Sequence, residues 1–307
     1  MYKINFEKPI HIHFIGIGGI SMSGLAEILL EEGFTVSGSD SKESPLTKKL
    51  ESEGAIIHYG QRAENISDGI DCVVYTAAIN KANPELMEAV ARKIPMLTRA
   101  ELLGQLMKNY KTPIAVSGTH GKTTTTSMIS HILLAADLDP TISVGGILKA
   151  IGGNIRVGKS NLFVTEAYEY TNSFLNFRPK YCLILNIEED HLDFFKDIHD
   201  IRHSFRLFAE NTAPDGVIVL NGAIEQHEAI TEGLSAKIVT YGLSADNDFY
   251  ASDISYNEKQ NKFALIDKAG NLYFANKDLV TYSSGTKISV DGDLNDIYSD
   301  EKYIYAL

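Results

Sequence analysis

Short apolar runs alternate with stretches of helical spacing along the first hundred residues. Strands that alternate with helices in this way predict a parallel sheet with helices on its faces. Gly33 directly follows the first helical stretch and is predicted to end that helix. The predicted strands are 11–17, 34–38, 55–59, 71–76 and 96–97, and the predicted helices are 21–32, 84–93 and 100–108.

A second alternating block begins at Pro113, after a polar hinge at 109–112. Beyond residue 248 the pattern changes to short β-like runs separated by polar turns, which predicts a small antiparallel sheet. The predicted strands of the block are 114–117, 162–166, 181–186, 216–220 and 237–241, its helices are 122–136, 199–211 and 223–232, and the later runs are 262–266, 272–275 and 279–282.

These patterns predict an α/β protein of two domains. Residues 1–110 form an N-terminal Rossmann-like domain with a parallel sheet. Residues 111–307 form a central α/β domain that contains a phosphate loop and carries the small antiparallel β appendage. The chain length of 307 residues allows a large core in each.

Charge and composition exclude several classes of partner. The net charge is −12 and the sequence has no basic stretch, which argues against nucleic acid as a partner. No apolar run approaches the roughly 18 residues that cross a membrane, and the N-terminal residues lead us to expect no signal peptide. The two cysteines lie in apolar runs without a CxxC pair. We therefore expect a cytoplasmic protein that makes no membrane or nucleic-acid contact.

The strongest chemical signal is Ser-Gly-Thr-His-Gly-Lys-Thr-Thr-Thr at 117–125, directly after an apolar strand. The standard GxxxxGK[ST] pattern fails because Val116 stands where its first glycine belongs. Gly118 instead gives a tighter loop before Lys122. Backbone N–H groups and a helix start face an anion in such loops, and a threonine hydroxyl reaches magnesium. The predicted ATP-binding residues are Gly118, Thr119, His120, Gly121, Lys122, Thr123 and Thr124.

A weaker signal is the first glycine loop, Gly16-x-Gly18-x-x-Ser21, which follows the first strand. Ser21 replaces the third glycine of a dinucleotide motif, and Asp40 ends the next strand. This pattern is typical of a loop that approaches a nucleotide phosphate, but it does not separate NAD from a UDP-sugar. A purely structural tight turn is the other interpretation.

Acidic residues and one histidine follow later predicted strands. Glu166 ends the strand at 162–166, and His191 follows the strand at 181–186. Ligands of open α/β sheets bind beyond the carboxyl ends of strands, so both side chains are candidates to hold magnesium near the phosphate loop. Glu188 and Glu189 are better explained as a solvated acidic turn.

These motifs occur in the order found in the Mur ligases of peptidoglycan synthesis, and residues 10–215 of the chain resemble that family. The first glycine segment resembles the branch that adds L-alanine and its relative, the murein-peptide ligase. The matching segments are 13–26, 37–40, 118–124, 166–170 and 186–193.

The resemblance implies an ATP-dependent amide ligase that uses Mg²⁺. UDP-N-acetylmuramate and L-alanine would be its small-molecule substrates, joined through an acyl phosphate. Lys122, Glu166 and His191 would be catalytic, and Lys122 would contact the β- and γ-phosphates. Thr123, Glu166 and His191 would hold the metal. The implied UDP-sugar residues are Gly16, Gly18, Gly19, Ser23 and Asp40.

One part of the family pattern is missing from the sequence. Family members have a third domain that follows a Gly-x-His-Asn segment, and this chain contains no His-Asn pair. We therefore expect the C-terminal ligase domain to be absent, turnover to be impaired, and a separate chain to supply that domain if turnover occurs. The alternatives are a non-catalytic nucleotide- or UDP-sugar-binding module, a murein-peptide ligase, and an NAD-dependent oxidoreductase.

Overall fold

A computed structural model describes residues 2–76 and 79–251 with their side chains, and the backbone of 252–256, 261–267, 272–276 and 279–280. The chain divides into two compact units. The first contains the residues up to Ser117 together with Gly121–Lys180. The second contains Gly118–His120 and the chain from Tyr181 onward. The predicted domain boundary at 110 and 111 stays a prediction.

A five-stranded parallel sheet opens the first unit, in the order β3-β2-β1-β4-β5. Its central strand is buried, and a cluster that includes Ile15, Val73 and Ala89 fills one side of the sheet. The carboxyl ends of β1 and β2 therefore meet at one edge, where a ligand can approach. The strands are β1 (His11–Ile15), β2 (Thr35–Asp40), β3 (Ile56–Tyr59), β4 (Cys72–Tyr75) and β5 (Met96–Thr98).

Four α-helices and a 3₁₀ turn at Ala63–Asn65 accompany this sheet. Local side chains fix three of the helix starts. Reciprocal capping bonds join Ser44 to Thr47 and Thr98 to Glu101, and Asn83 accepts from two backbone N–H groups. The helices are α1 (Ile20–Glu31), α2 (Pro45–Ser52), α3 (Pro84–Ala91) and α4 (Arg99–Met107).

The rest of the first unit contains α5 (Lys122–Ala135) and four strands in the order β6-β9-β7-β8. β9 pairs in parallel with β6 and β7, whereas β8 is antiparallel to β7. α1 packs against β8, where Gly24 allows Ile155 to approach. The strands are β6 (Thr112–Ser117), β7 (Thr141–Leu148), β8 (Gly153–Arg156) and β9 (Leu162–Glu166), with 3₁₀ turns at Lys149–Ile151 and Tyr170–Asn176.

In the second unit the strands follow one another across the sheet, from β10 to β16. The pairings from β10 to β13 are parallel, and those from β13 to β16 are antiparallel. Two helices, α6 (Ile198–Glu210) and α7 (His227–Thr231), contact each other. The strands are β10 (Tyr181–Ile184), β11 (Val217–Asn221), β12 (Lys237–Gly242), β13 (Phe249–Tyr256), β14 (Asn261–Asp267), β15 (Leu272–Asn276) and β16 (Leu279–Val280).

The predicted fold class is confirmed: a parallel sheet in the first unit, a second α/β region, and an antiparallel set of strands after residue 248. Four elements, α2, β7, β8 and β13, were not predicted. The predicted strand 11–17 ends at Ile15 because Gly16 turns the chain at φ +82°. Residues 281–282 of the last predicted strand lie outside the described residues. No helix among those described is long and apolar enough to cross a membrane.

Candidate active site

The first glycine loop joins β1 to α1 and is held by residues at the end of β2. The N–H groups of Gly16 and Ile17 both donate to the Ser39 carbonyl, at 2.8 and 2.9 Å. Gly19 is the N-cap of α1 and provides no side-chain capping bond. The start of α1 therefore presents backbone N–H groups, which is the arrangement that binds phosphate oxygens.

Asp40 and Ser23, two predicted UDP-sugar residues, make bonds within the loop region. Asp40 Oδ2 accepts from the Gly18 N–H at 2.9 Å, and its Oδ1 accepts from Ser41. The Ser23 hydroxyl is buried and donates to the Ile20 carbonyl at 3.0 Å. Asp40 thus holds the loop closed onto β2, and the predicted contact of both residues with UDP-sugar stays a prediction.

A buried polar network lies next to the first glycine loop and contacts it through Ser39. Glu85 is fully buried at the start of α3 and accepts hydrogen bonds from Ser39 and Asn65, each at 2.5 Å. His13 Nε2 lies 3.9 Å from the same carboxylate. Burial alone would raise the pKa of Glu85, but the nearby His13 and the hydrogen bonds from Ser39 and Asn65 outweigh it and lower the pKa. Ser39 therefore connects this carboxylate to the glycine loop.

The phosphate loop joins β6 to α5, and glycines make its two sharp turns. Gly118 has φ +140°, and a Cβ there would lie 3.0 Å from Leu185 Cβ. Gly121 has φ +82° and is the N-cap of α5, without a side-chain capping bond. Other residues would be strained at both positions. The N–H groups of Thr123 and Thr124, in the first turn of α5, consequently face outward where an anion can bind.

Asn186 holds the loop within the second unit. Its Oδ1 accepts from the His120 N–H at 2.8 Å, its Nδ2 donates to the His120 carbonyl at 3.1 Å, and its own carbonyl accepts from Thr119. The buried Thr119 hydroxyl accepts from the Glu188 N–H at 2.9 Å. Thr119 and His120 thus fix the loop conformation through Asn186 and Glu188.

Lys122 is buried and forms an ion pair within the first unit. Its Nζ lies 2.9 and 3.1 Å from the two carboxylate oxygens of Glu169 and 5.1 Å from the centre of the Tyr168 ring. Charge-assisted bonds of this length hold an ammonium in one place. The phosphate-loop lysine is therefore fixed by a carboxylate that the sequence did not single out.

Thr123 and Glu166 are in direct contact, as two of the three predicted metal ligands. The Thr123 hydroxyl donates to Glu166 Oε2 at 3.1 Å, and the Gly145 N–H donates to Oε1 at 2.5 Å. Thr123 and Thr124 are both exposed at the start of α5. A hydroxyl and a carboxylate are oxygen donors that suit Mg²⁺, which takes few protein ligands beside phosphates.

His191, the third predicted ligand, lies in the second unit with a left-handed backbone at φ +52°. Its N–H donates to Asp190 Oδ1 at 2.7 Å, and its carbonyl accepts from Phe194 and Phe195. Such a conformation is uncommon for a non-glycine residue and tends to occur at functional sites. Its role as a metal ligand stays a prediction. Across the described residues, no three His, Cys, Asp or Glu side chains form a metal cluster.

A cleft of about 550 Å³ lies in the second unit beyond the ends of β10 and β11. Asn186 and Glu188 form part of its wall, and Arg202, Asn221 and Glu225 form another part. Arg202 donates to Glu225 at 2.5 Å. Clefts at this edge of an α/β sheet are where ligands bind. The cleft thus adjoins the residues that hold Thr119 and His120.

Sequence reasoning missed Asn186, Gly145 and Glu169 as site residues. All three act through contacts between segments far apart in the chain, 66, 21 and 47 residues from their partners. Local spacing carries no signal for such pairs. The available signal was position, because Asn186 follows β10 and Glu169 follows β9.

A glycine loop that leads from a strand into a helix, a lysine at the helix start, and an acid beside the next threonine define a phosphate-loop nucleotide-binding protein. Two family models match the sequence. "Mur ligase family, catalytic domain" matches residues 11–111, and "Mur ligase middle domain" matches residues 116–279. Since the second match alone covers more than half of the chain, the chain belongs to the Mur ligase family.

Individual relatives agree with this family. A UDP-N-acetylmuramate–L-alanine ligase of Agathobacter rectalis is 68% identical over 259 residues, which cover 84% of this chain and 56% of the relative. The UDP-N-acetylmuramate–alanine ligase structure of Thermotoga maritima has a TM-score of 0.73 at 29% identity, over 89% of this chain and 61% of that one. The structure of UDP-N-acetylmuramate:L-alanyl-γ-D-glutamyl-meso-diaminopimelate ligase from Neisseria meningitides has a TM-score of 0.74 at 26% identity, over 87% of each chain. The chain spans about half the length of the curated relatives it matches.

Proposed function

We propose that these residues form the UDP-sugar- and ATP-binding parts of a ligase that joins L-alanine to UDP-N-acetylmuramate. The observation that carries the proposal is the phosphate loop before α5, with Lys122 buried and Thr123 bonded to Glu166. The 68% identity with an L-alanine ligase supports the choice of substrates.

The proposed reaction has two steps. The substrate carboxylate attacks the γ-phosphate of ATP, which yields an acyl phosphate and ADP. The amine of L-alanine then attacks the acyl carbon, phosphate leaves, and the amine loses its proton. In the first step the chain contributes mainly position and charge. Lys122 would bind the β- and γ-phosphates, and the N–H groups at the start of α5 would bind the oxygens beside them.

Magnesium fits the residues present. Thr123 and Glu166 provide hard oxygen donors in contact with each other, and the Gly145 N–H fixes the carboxylate. When bound, Mg²⁺ neutralises charge on phosphate and carboxylate oxygens. The chain's own part is to orient Glu166, and we propose that His191 supplies a further ligand.

Murein-peptide ligation is the second candidate, because the two structural relatives have TM-scores of 0.74 and 0.73. The fold therefore does not separate the two substrates. Identity favours L-alanine, since the matches of 68% and 60% are both L-alanine ligases.

Titration calorimetry of the Lys122→Ala variant tests the proposal. We expect ATP–Mg²⁺ to bind the wild-type chain, and the variant to bind it at least about 10-fold more weakly, because a charge-assisted bond is lost. UDP-N-acetylmuramate affinity should change less than about twofold. Lys108→Ala, an exposed lysine at the end of α4, is the matched control and should change neither.

Lys122→Ala also removes the ion-pair partner of the buried Glu169, which can destabilise the fold. The double variant Lys122→Ala/Glu169→Gln removes both charges and should show the same loss of ATP binding in a stably folded protein. If a folded variant loses affinity for ATP–Mg²⁺ and for UDP-N-acetylmuramate to the same extent, the two sites are misassigned. A wild-type chain that binds NAD and not ATP would support the oxidoreductase alternative instead. Binding of both proposed ligands without phosphate release, even when L-alanine is added, would favour the non-catalytic module.

A further inference from the structure

Arg99 is a charged residue near the candidate site to which no role has been given. It is the first residue of α4, and its Nη1 donates to the Ser21 hydroxyl at 3.1 Å. Ser21 lies in the first turn of α1, where a dinucleotide motif would have its third glycine. The negative charge of Glu166 also acts on this guanidinium. Arg99 thus connects the helix of the glycine loop with the surroundings of the phosphate-loop acid.

The position of Arg99 is energetically unfavourable for a cation. Burial lowers the pKa of the guanidinium, and the charge of Glu166 only partly opposes this. A positive charge at a helix start also opposes the helix dipole. Within the described part of the chain, Arg99 has a hydroxyl partner and no ion pair. A partly buried arginine without a carboxylate partner costs stability, so packing alone gives no reason for it.

Glu166 does not provide the missing partner, because Arg99 and Glu166 form no ion pair among the described residues, and the Glu166 oxygens accept from Thr123 and Gly145 instead. The guanidinium fork is a geometric match for a planar carboxylate, to which it can donate two parallel bonds. The substrate that the proposed function assigns has its reacting carboxylate at the end remote from the uridine. That carboxylate must lie near the phosphate-loop acid while the nucleotide occupies the glycine loop.

We propose that Arg99 binds the carboxylate of the UDP-sugar substrate and orients it for attack on ATP. The inference rests on the proposed function, since it assumes that the glycine loop holds the nucleotide. Arg99 would then distinguish a UDP-sugar acid from a neutral UDP-sugar, with Ser21 holding the guanidinium in place.

The test compares two ligands that differ at this group. UDP-N-acetylglucosamine lacks the lactyl carboxylate of UDP-N-acetylmuramate and is otherwise closely similar. We expect Arg99→Gln to weaken UDP-N-acetylmuramate binding by about 10- to 100-fold, the effect of losing charge-assisted hydrogen bonds. UDP-N-acetylglucosamine and ATP–Mg²⁺ should each change less than about twofold. Arg99→Lys should recover part of the loss, and Ser21→Ala, which removes only the positioning bond, should weaken UDP-N-acetylmuramate binding less than Arg99→Gln does.

The outcomes separate the inference from the proposed function. Equal loss of affinity for both UDP-sugars would show that Arg99 only supports the glycine loop. Loss of affinity for ATP alone would show that Arg99 contacts a phosphate of ATP. Either result overturns the inference. If the wild-type chain binds neither UDP-sugar, the proposed function fails first. Binding of UDP-N-acetylglucosamine by Arg99→Gln shows that the variant is folded.

Discussion

At the residue scale, the buried pair of Lys122 and Glu169 connects stability with ligand binding. Each side chain is at most 10% exposed, and each charge compensates the other in the ion pair. A phosphate that binds Lys122 must compete with a carboxylate already in contact with it. The same carboxylate therefore stabilises the buried lysine and opposes nucleotide binding.

Replacing that carboxylate should separate the two effects. Glu169→Gln leaves the lysine charge buried, and we expect it to lower the free energy of unfolding by about 3 kcal/mol. Because phosphate no longer competes with Glu169, saturating ATP–Mg²⁺ should raise the Tm of this variant more than that of the wild type. Differential scanning fluorimetry measures both values.

Glu88→Gln provides the control, since Glu88 forms an exposed pair with Arg92 that should contribute less than about 1 kcal/mol. An equal ATP-induced rise in Tm for Glu169→Gln and wild type would show that the pair does not compete with phosphate.

At the element scale, the sequence predicted the elements whose apolar pattern is strong and missed those whose pattern is weak. β1, β9 and β11 were predicted within two residues at each end. β7 was missed because glycines at 145 and 146 interrupt its pattern. α2 is short and polar, and its capping box has Thr47 where Glu or Gln is usual.

The contact of α1 with β8 depends on one missing side chain. A Cβ at Gly24 would lie 1.9 Å from Ile155 Cδ1 and 2.6 Å from its Cβ, so the helix would have to move away from the strand. Alanine normally stabilises a helix interior by about 1 kcal/mol relative to glycine. We expect Gly24→Ala to destabilise the chain instead, by about 1–3 kcal/mol in urea unfolding.

The Ile155→Ala background tests whether the clash is the cause. In that background Gly24→Ala should lower the free energy of unfolding by less than it does in the wild type. Part of the overlap remains, because alanine at position 155 still has a β-carbon. The difference between the two backgrounds is the coupling energy of the two positions. Stabilisation by Gly24→Ala in the wild-type background would contradict the described packing.

At the scale of the whole molecule, the order of strands, helices and motifs was readable from the sequence, whereas the partners of the site residues were not. The phosphate loop is recognisable because its residues are contiguous. Arg99 and Ser21 are 78 residues apart, and their meeting depends on how α4 and α1 pack. Long-range pairs of this kind are a property of the fold and leave no local pattern.

Each compact unit contains one buried thiol, Cys72 in β4 and Cys182 in β10. Burial raises the pKa of each to about 12. Because the thiolate is the reactive form, each should react with Ellman's reagent only when its unit opens. We expect the single-cysteine variants Cys182→Ala and Cys72→Ala to react at least about 100-fold more slowly than an exposed thiol.

Ser67→Cys in a chain without the other two cysteines supplies the exposed reference. If either buried thiol of the folded protein reacts with Ellman's reagent at a rate close to that of Ser67→Cys, the strand that contains this thiol opens readily. Rates that differ between the two buried thiols would measure how far the units differ in local stability.

Asp40 places a carboxylate inside the glycine loop, on the Gly18 N–H that would otherwise be open to a phosphate oxygen. A small inorganic anion that approaches this turn is repelled by the carboxylate of Asp40. Such an anion has no base or sugar whose binding elsewhere could offset the repulsion. A long nucleotide ester can accept that repulsion, because its base and sugar bind elsewhere. The loop would thereby discriminate by ligand length, and inorganic phosphate or sulfate would be poor competitors for it.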